Sequence, residues 1–239
     1  MTAAILLAVV AVQVALRLTG RPHLSSRFLS RRATGAKRLL IWAARLWLSF
    51  ALPTLIALTL LGRVDALWRV PPEFLAVAEA LGGAGSLPAW GPLAGLAIGV
   101  ALSTLVNWRR LRRGRGPLQL GRSPTLAERP GELPAAALLA VSAGVVEELY
   151  FRLLLPLLVA LVFGSAWAGF GAAAVIFGLQ HRYQGVVGML ATGASGLFMG
   201  AIYLLGGSLW LPMLFHAGVD FNALVVKPWL MMRARPVSS

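Results

Sequence analysis

Val145-Val146-Glu147-Glu148-Leu149-Tyr150-Phe151-Arg152 sits inside an otherwise apolar run from Pro134 to Phe163. Two adjacent carboxylates and a guanidinium stand there among alanine, leucine, valine and glycine. At the middle of a bilayer each such charge costs about 2.5–3.5 kcal/mol on insertion scales, so in lipid all three must turn toward protein or water. Ionisable groups kept at that cost are candidates for function. The run that holds them sets the class of fold: a long apolar helix that other helices must cover.

Composition points the same way. Of 239 residues, 58% are hydrophobic and 13% charged, and the mean hydropathy is +0.78. A soluble domain carries roughly 25% charged residues. The expectation is an all-α, polytopic membrane helix bundle with about seven to eight transmembrane helices. With no cysteine in the chain, disulfides and thiolate metal sites are excluded. A net charge of +14 would suggest nucleic acid in a soluble protein. Here the basic residues fall mainly between apolar runs, so the expected partner is a bilayer with anionic headgroups and not nucleic acid.

The first run, Thr2 to Leu16, has no basic residue before it and is read as a retained anchor helix. Arg17, Arg21, Arg27, Arg31, Arg32, Lys37 and Arg38 follow without an acid, the pattern of a cytoplasmic loop. His23 in that loop has no evident partner. Leu39 to Leu61 spans next. Gly62 to Leu87 mixes both signs of charge, is broken by Pro71-Pro72 and Gly82-Gly83, and is expected outside. Trp90 to Val106 is a third span. A second basic loop, Trp108 to Glu132, follows, with Ser123-Pro124 near its end. From Pro134 the polar connections become very short. Pro134 to Phe163 would be roughly 45 Å as one helix, longer than the hydrocarbon core, and Pro156 is expected to kink or divide it.

Ser165–Gln180, Gln184–Leu205 and Leu209–Val226 complete seven spans; a break near Pro156 or a span within Gly62–Leu87 would add an eighth. Gly196-Leu-Phe-Met-Gly200 and the Ala/Gly-rich Trp167–Ala174 stretch are suited to close helix packing. The chain divides into N-terminal transmembrane helices with basic loops (1–133), a helix core with the polar groups (134–228) and a basic tail (229–239). Both basic loops and the tail then lie in the cytoplasm and the amino terminus outside, in a multi-pass protein of the cell (inner) membrane.

Three groups could carry chemistry. Glu148 and Arg152 are four apart and share a helix face, whereas Glu147 points about 100° away. The first two form a supporting pair and Glu147 is the free carboxylate; the alternative is that all three are packing glue. His181 closes the run Phe177-Gly178-Leu179-Gln180-His181. His216 and Asp220 share a face of the last run, with Gly218 between them open to a close neighbour and Asn222 facing away. A His–Asp pair can fix a tautomer, bind a metal or donate to a developing anion.

Glu-Glu-x-x-x-Arg, Phe-x-x-x-His and His-x-x-x-Asp in successive apolar segments resemble the CPBP family, which comprises type II CAAX prenyl endopeptidases and bacterial relatives, including bacteriocin self-immunity and abortive-infection-type membrane proteins. The resemblance covers about residues 135–226. It implies an intramembrane endopeptidase that hydrolyses a peptide bond of a membrane-associated protein or peptide near the substrate's carboxyl end. In one mechanism Glu147 and His181 activate a water while His216 and Asp220 stabilise the oxyanion, without a cofactor. In the other, Glu147, His181 and His216 hold a Zn2+ whose water attacks. No His-Glu-x-x-His motif supports the zinc version, and the metal-free one is preferred. Asp220 stands where the eukaryotic-type enzymes of the family carry Asn; it donates a hydrogen bond only when protonated, and otherwise orients His216. The alternatives are a catalytically silent scaffold or immunity protein of the same fold, and an ion- or proton-coupled transporter; the latter lacks a visible inverted repeat.

Overall fold

The computed structural model describes residues 1–19, 35–118 and 127–234. Arg21, His23, Arg27, Arg31 and Arg32 of the first basic loop, Arg122 and Ser123-Pro124 of the second, and Arg235 of the tail lie outside the described residues. The described chain is all helical. Its helices are α1 (Thr2–Thr19), α2 (Ala36–Leu60), α3 (Leu75–Leu81), α4 (Trp90–Arg112), α5 (133–163), α6 (Ala166–Gln180), α7 (Val186–Gly206) and α8 (210–234). α1, α2, α4 and α7 are long and apolar enough to cross a membrane, and α6 is apolar but shorter. The outside is as greasy as the inside: Leu48, Val175, Val187 and Leu190 are all exposed. That pattern is unfavourable in water and ordinary against lipid tails.

The seven long helices alternate in direction. Arg17 and Arg182 meet at one end, where the Arg182 guanidinium donates to the Arg17 carbonyl. The same end holds Leu118 and Lys227. At the opposite end the Leu87 N–H donates to the Leu205 carbonyl, and α3 lies there without crossing. α5 is the hub, packed on by α1, α2, α6 and α8. Its middle is sealed: Tyr150, Phe151, Leu153, Leu154, Leu157 and Leu158 have almost no exposed surface.

α5 is not divided at Pro156. A π turn, Leu149–Leu154, comes first, and the Leu155 N–H donates to the Tyr150 carbonyl five residues back. Proline lacks the N–H of an α-helical bond, and its ring clashes with the carbonyl four residues back; the widened turn accommodates both defects. The device is used three times among the described residues. Trp47–Ala51 precedes Pro53, and Asn222–Val226 precedes Pro228. The last case carries α8 past Val226 without a stop, so residues 229–234 of the tail are helical.

Gly62–Leu87, read as a polar stretch, also contributes Ala66, Phe74, Val77 and Ala78 to the core. Arg63 and Glu73 pair through two hydrogen bonds of 2.7 Å each, and this closes a loop that drives Phe74 into the bundle. Phe74 is fully buried, edge-on to Phe170 at 5.0 Å and to Tyr203 at 6.2 Å. Phe74, Val77 and Ala78 form an i, i+3, i+4 stripe, and the five charges of the stretch hide it from any count of polarity. The small-residue stretches pack as their composition suggests. A Cβ on Gly196 would lie 3.3 Å from the Ala174 Cα, so α6 and α7 touch there almost backbone to backbone.

Candidate active site

Close approach between α5 and α8 sets the site. A Cβ on Gly144 would fall 2.5 Å from the Ala217 backbone nitrogen, so any other residue there would push the helices apart. One turn after Gly144 comes Glu148; next to Ala217 is His216. The short gap lets the two meet: His216 Nδ1 lies 2.7 Å from Glu148 Oε1. A carboxylate only accepts, so Nδ1–H is the donor and Nε2 is turned outward. The other oxygen of Glu148, Oε2, is 2.9 Å from Arg152 Nε. That is an ion-pair distance without hydrogen-bond alignment, and the Arg152 nitrogens have no hydrogen-bond partner among the described residues. The Arg152 guanidinium instead lies over the Phe177 ring, 4.5 Å from its centroid. Glu148 and Arg152 have 0% and 2% of their side-chain surface exposed. Buried charges of this kind hold only as a connected set, because each alone would face desolvation uncompensated.

Phe177 is the wedge of the arrangement. Its ring packs against Arg152, against His181 with centroids 4.8 Å apart and against His216 at 6.0 Å. Its carbonyl lies 2.8 Å from His181 Nδ1. A carbonyl accepts only, so His181 carries its proton on Nδ1 and presents Nε2 as a lone pair when neutral. The two histidines are thus both fixed at Nδ1, one by a carboxylate and one by a carbonyl.

The outward groups share one space. Glu147, His181, His216 and Asp220, from α5, α6 and α8, line a cavity of about 490 Å³. His216 Nε2 is 3.9 Å from Glu147 Oε2 and 3.7 Å from Asp220 Oδ2. These distances exceed a hydrogen bond. No direct ion pair or hydrogen bond joins Glu147 to His181 among the described residues; the nearest imidazole to Glu147 is that of His216. Among the described residues no three histidine or acidic side chains are gathered so as to hold a metal ion. Glu147, His181 and His216 therefore do not fit one zinc ion as they stand.

Sequence reasoning missed three things here. The Glu148–His216 bond joins residues 68 positions apart, and no spacing rule reaches across two helices. Tyr183 and Lys227 also line the cavity. Tyr183 follows His181 by two, in the connector. Lys227 continues the stripe of α8 that starts at His216, through Asp220 and Ala223, so the helical period could have found it. Gly218 is open as expected: its missing Cβ would lie 2.5 Å from a Leu96 methyl of α4. Asn222, turned away from the site, donates to the Ser103 hydroxyl at 3.1 Å and ties α8 to α4.

No curated protein and no solved structure matches the chain. Residues 129–222 match the model of a protein family described as type II CAAX prenyl endopeptidase Rce1-like. The match takes in α5, α6, α7 and the part of α8 up to Asn222, and with them every residue of the three motifs; α1 to α4 and Lys227 lie outside it. The helix core that builds this cavity is thus similar to the Rce1-like type II CAAX prenyl endopeptidases.

Proposed function

We propose that the chain is a metal-free intramembrane endopeptidase with Glu147 as its general base. The observation that carries this reading is the convergence of Glu147, His181, His216 and Asp220 from three helices on one cavity. Only Glu148 and Arg152 are withdrawn from it into the protein interior. A water between Glu147 and His181 donates one hydrogen bond to each. Glu147 takes a proton as the water oxygen attacks the scissile carbonyl carbon, giving a tetrahedral oxyanion. His216, when protonated at Nε2, donates to that oxyanion, and Asp220 beside it orients the ring. The Glu147 proton then passes to the departing nitrogen, the C–N bond breaks, and an acid and an amine leave. Glu148 is a positioning residue: it fixes the His216 ring through Nδ1.

The test is turnover of apolar membrane-peptide libraries by the purified protein. Glu147→Gln should lower kcat by about 10²–10⁴-fold while the thermal midpoint stays near wild type, and a zinc chelator should leave wild-type turnover unchanged. Equal turnover in wild type and Glu147→Gln would sink the general-base assignment; loss of activity to chelator, regained with Zn2+, would replace it with the zinc mechanism.

We further propose that the end of the bundle carrying Arg17, Arg109–Arg115, Arg182 and Lys227 faces the cytoplasm and its anionic headgroups, in the cell (inner) membrane. The amino terminus is then outside. The chain has no cysteine, so single cysteines at Arg113 and Asp65 can be labelled from either side. Arg113→Cys should react only from the cytoplasm and Asp65→Cys only from outside; the reverse pattern would invert the orientation.

A further inference from the structure

α7 has two different faces. Gly193 and Gly196 turn toward α6, where a Cβ on either would meet Ala174 at 3.5 and 3.3 Å. Gly188, Thr192, Ser195 and Met199 recur at the three- and four-residue spacing of a second face, and they line the cavity that holds Glu147, His181 and His216. Two hydroxyls therefore stand on the wall of the site. Elsewhere in the chain a helical threonine turns its hydroxyl back onto its own helix. Thr19, Thr54 and Thr59 donate to the carbonyls of Ala15, Phe50 and Leu55, at 2.7, 2.7 and 2.8 Å. That local bond is the usual outlet for a hydroxyl in a helix. Thr192 and Ser195 depart from it. Thr192 Oγ1 donates across to Gln184 Oε1 at 3.4 Å, and Gln184 Nε2 donates on to the Tyr183 hydroxyl, also at 3.4 Å. The Thr192 proton is thus committed, and its oxygen offers the cavity lone pairs. Ser195 has no hydrogen-bond partner among the described residues, so its hydroxyl is able to donate. This acceptor and this donor are three residues apart, about 4.5 Å along the helix axis.

We propose that Thr192 and Ser195 bind the main chain of the substrate, taking the N–H and the C=O of one residue in an extended segment. The proposal rests on the endopeptidase reading of the same cavity. In an extended chain the N–H and C=O of one residue point to the same side, as they do where a strand meets its partner. Thr192 Oγ1 accepts from the N–H and the Ser195 hydroxyl donates to the C=O, so α7 stands in for a neighbouring strand. The surroundings make such a partner necessary. Leu46, Leu139, Ala143 and Phe198 leave much of the remaining wall apolar. A peptide group that exchanges water for such a wall without a hydrogen bond costs about 1–3 kcal/mol. The two hydroxyls hold what every peptide has, and they discriminate by backbone alone. The residue between them must carry an N–H, so proline is refused there. Both are positioning residues that set specificity, and neither takes part in bond making.

Ester scanning tests this bond by bond. A dansyl-labelled, amidated leucine–alanine peptide is prepared with each backbone amide in turn replaced by an ester. Each version is titrated into full-length Glu147→Gln protein in phosphatidylcholine nanodiscs. An ester removes one N–H and weakens the carbonyl before it, without adding bulk. Two adjacent bonds should be sensitive, each by about three- to tenfold in Kd. The first ester removes the N–H held by Thr192, and the second weakens the C=O held by Ser195. Thr192→Val should silence the first and leave the second, Ser195→Ala should do the reverse, and Thr192→Ser should keep both. A purely structural role for either hydroxyl would lower the affinity of every peptide alike and silence no single bond. Each bond reads a different variant, so a variant that fails to fold leaves the other bond as the test. Equal affinities along the scan, absence of saturable binding, or a sensitive bond that persists in its own variant overturns the proposal. Cleavage of the all-amide peptide by the protein with Glu147 intact is read separately. Cleavage with a featureless scan keeps the protease and overturns the backbone contact. A two-bond pattern without cleavage keeps the contact and overturns the protease.

Discussion

Glu148–Arg152 and Glu73–Arg63 are built from the same two side chains and live in different solvents. The first pair is sealed in the middle of α5, with 0% and 2% of its side-chain surface exposed. The second sits at one end of the bundle with 24% and 22% exposed. Geometry alone would rank them the wrong way. Arg63 makes two aligned hydrogen bonds of 2.7 Å to Glu73, whereas Arg152 makes one unaligned contact of 2.9 Å to Glu148. What differs is the alternative each partner has. A charge released at the surface returns to water at little cost. A charge released beside Phe177 has no bulk water to return to.

Removing one partner should separate the two pairs most widely. Glu148→Gln leaves the Arg152 guanidinium buried and unpaired and should cost about 3–5 kcal/mol of stability, together with the activity that depends on the His216 ring. Denaturant or thermal unfolding in detergent reads the first, and peptide turnover the second. A loss under 1 kcal/mol would mean that the interior pair is no more coupled than the outer one. The double change Glu148→Gln with Arg152→Met should recover most of that stability, because no orphan charge remains, but should not recover turnover, because His216 Nδ1 has lost its carboxylate. Recovery of both would make the pair mere packing.

The smallest effect is expected at the exposed pair. Arg63→Met should cost about 0.5–1 kcal/mol and should depend on pH. The Arg63 side chain holds the Glu73 carboxyl below its ordinary value of 4.5. A depressed carboxyl contributes stability that is fully present above 4.5 and is lost as pH falls through its lower folded value. Wild type and Arg63→Met should therefore converge in acid and part above about pH 5. Curves that stay parallel across this range would remove the ion pair from the account of that loop.

Much of the helix plan is legible in the chain because apolar runs in lipid have one secondary structure open to them. All seven runs correspond to long helices, and the Gly196 and Trp167–Ala174 stretches meet at the α6–α7 contact. The rest was hidden for definite reasons. Phe74 was masked by charges that point away from it. The Glu148–His216 bond depends on how close Gly144 lets α8 come, a quantity set by two helices and not by either sequence alone. Lys227 was passed over as a site residue because Val226 looked like the end of a span; the π turn at Asn222–Val226 carries the helix past it.

The same π turns bear on how such a chain can change length. An extra residue in an α-helix ordinarily rotates everything downstream by about 100°. Taken up as one widened turn, it leaves the faces before and after in their former phase. α5 has such a turn directly after Glu147-Glu148, and α8 has one two residues after Asp220. A gap or gain of one position at either place is thus a change in helix interior that the outward groups do not feel.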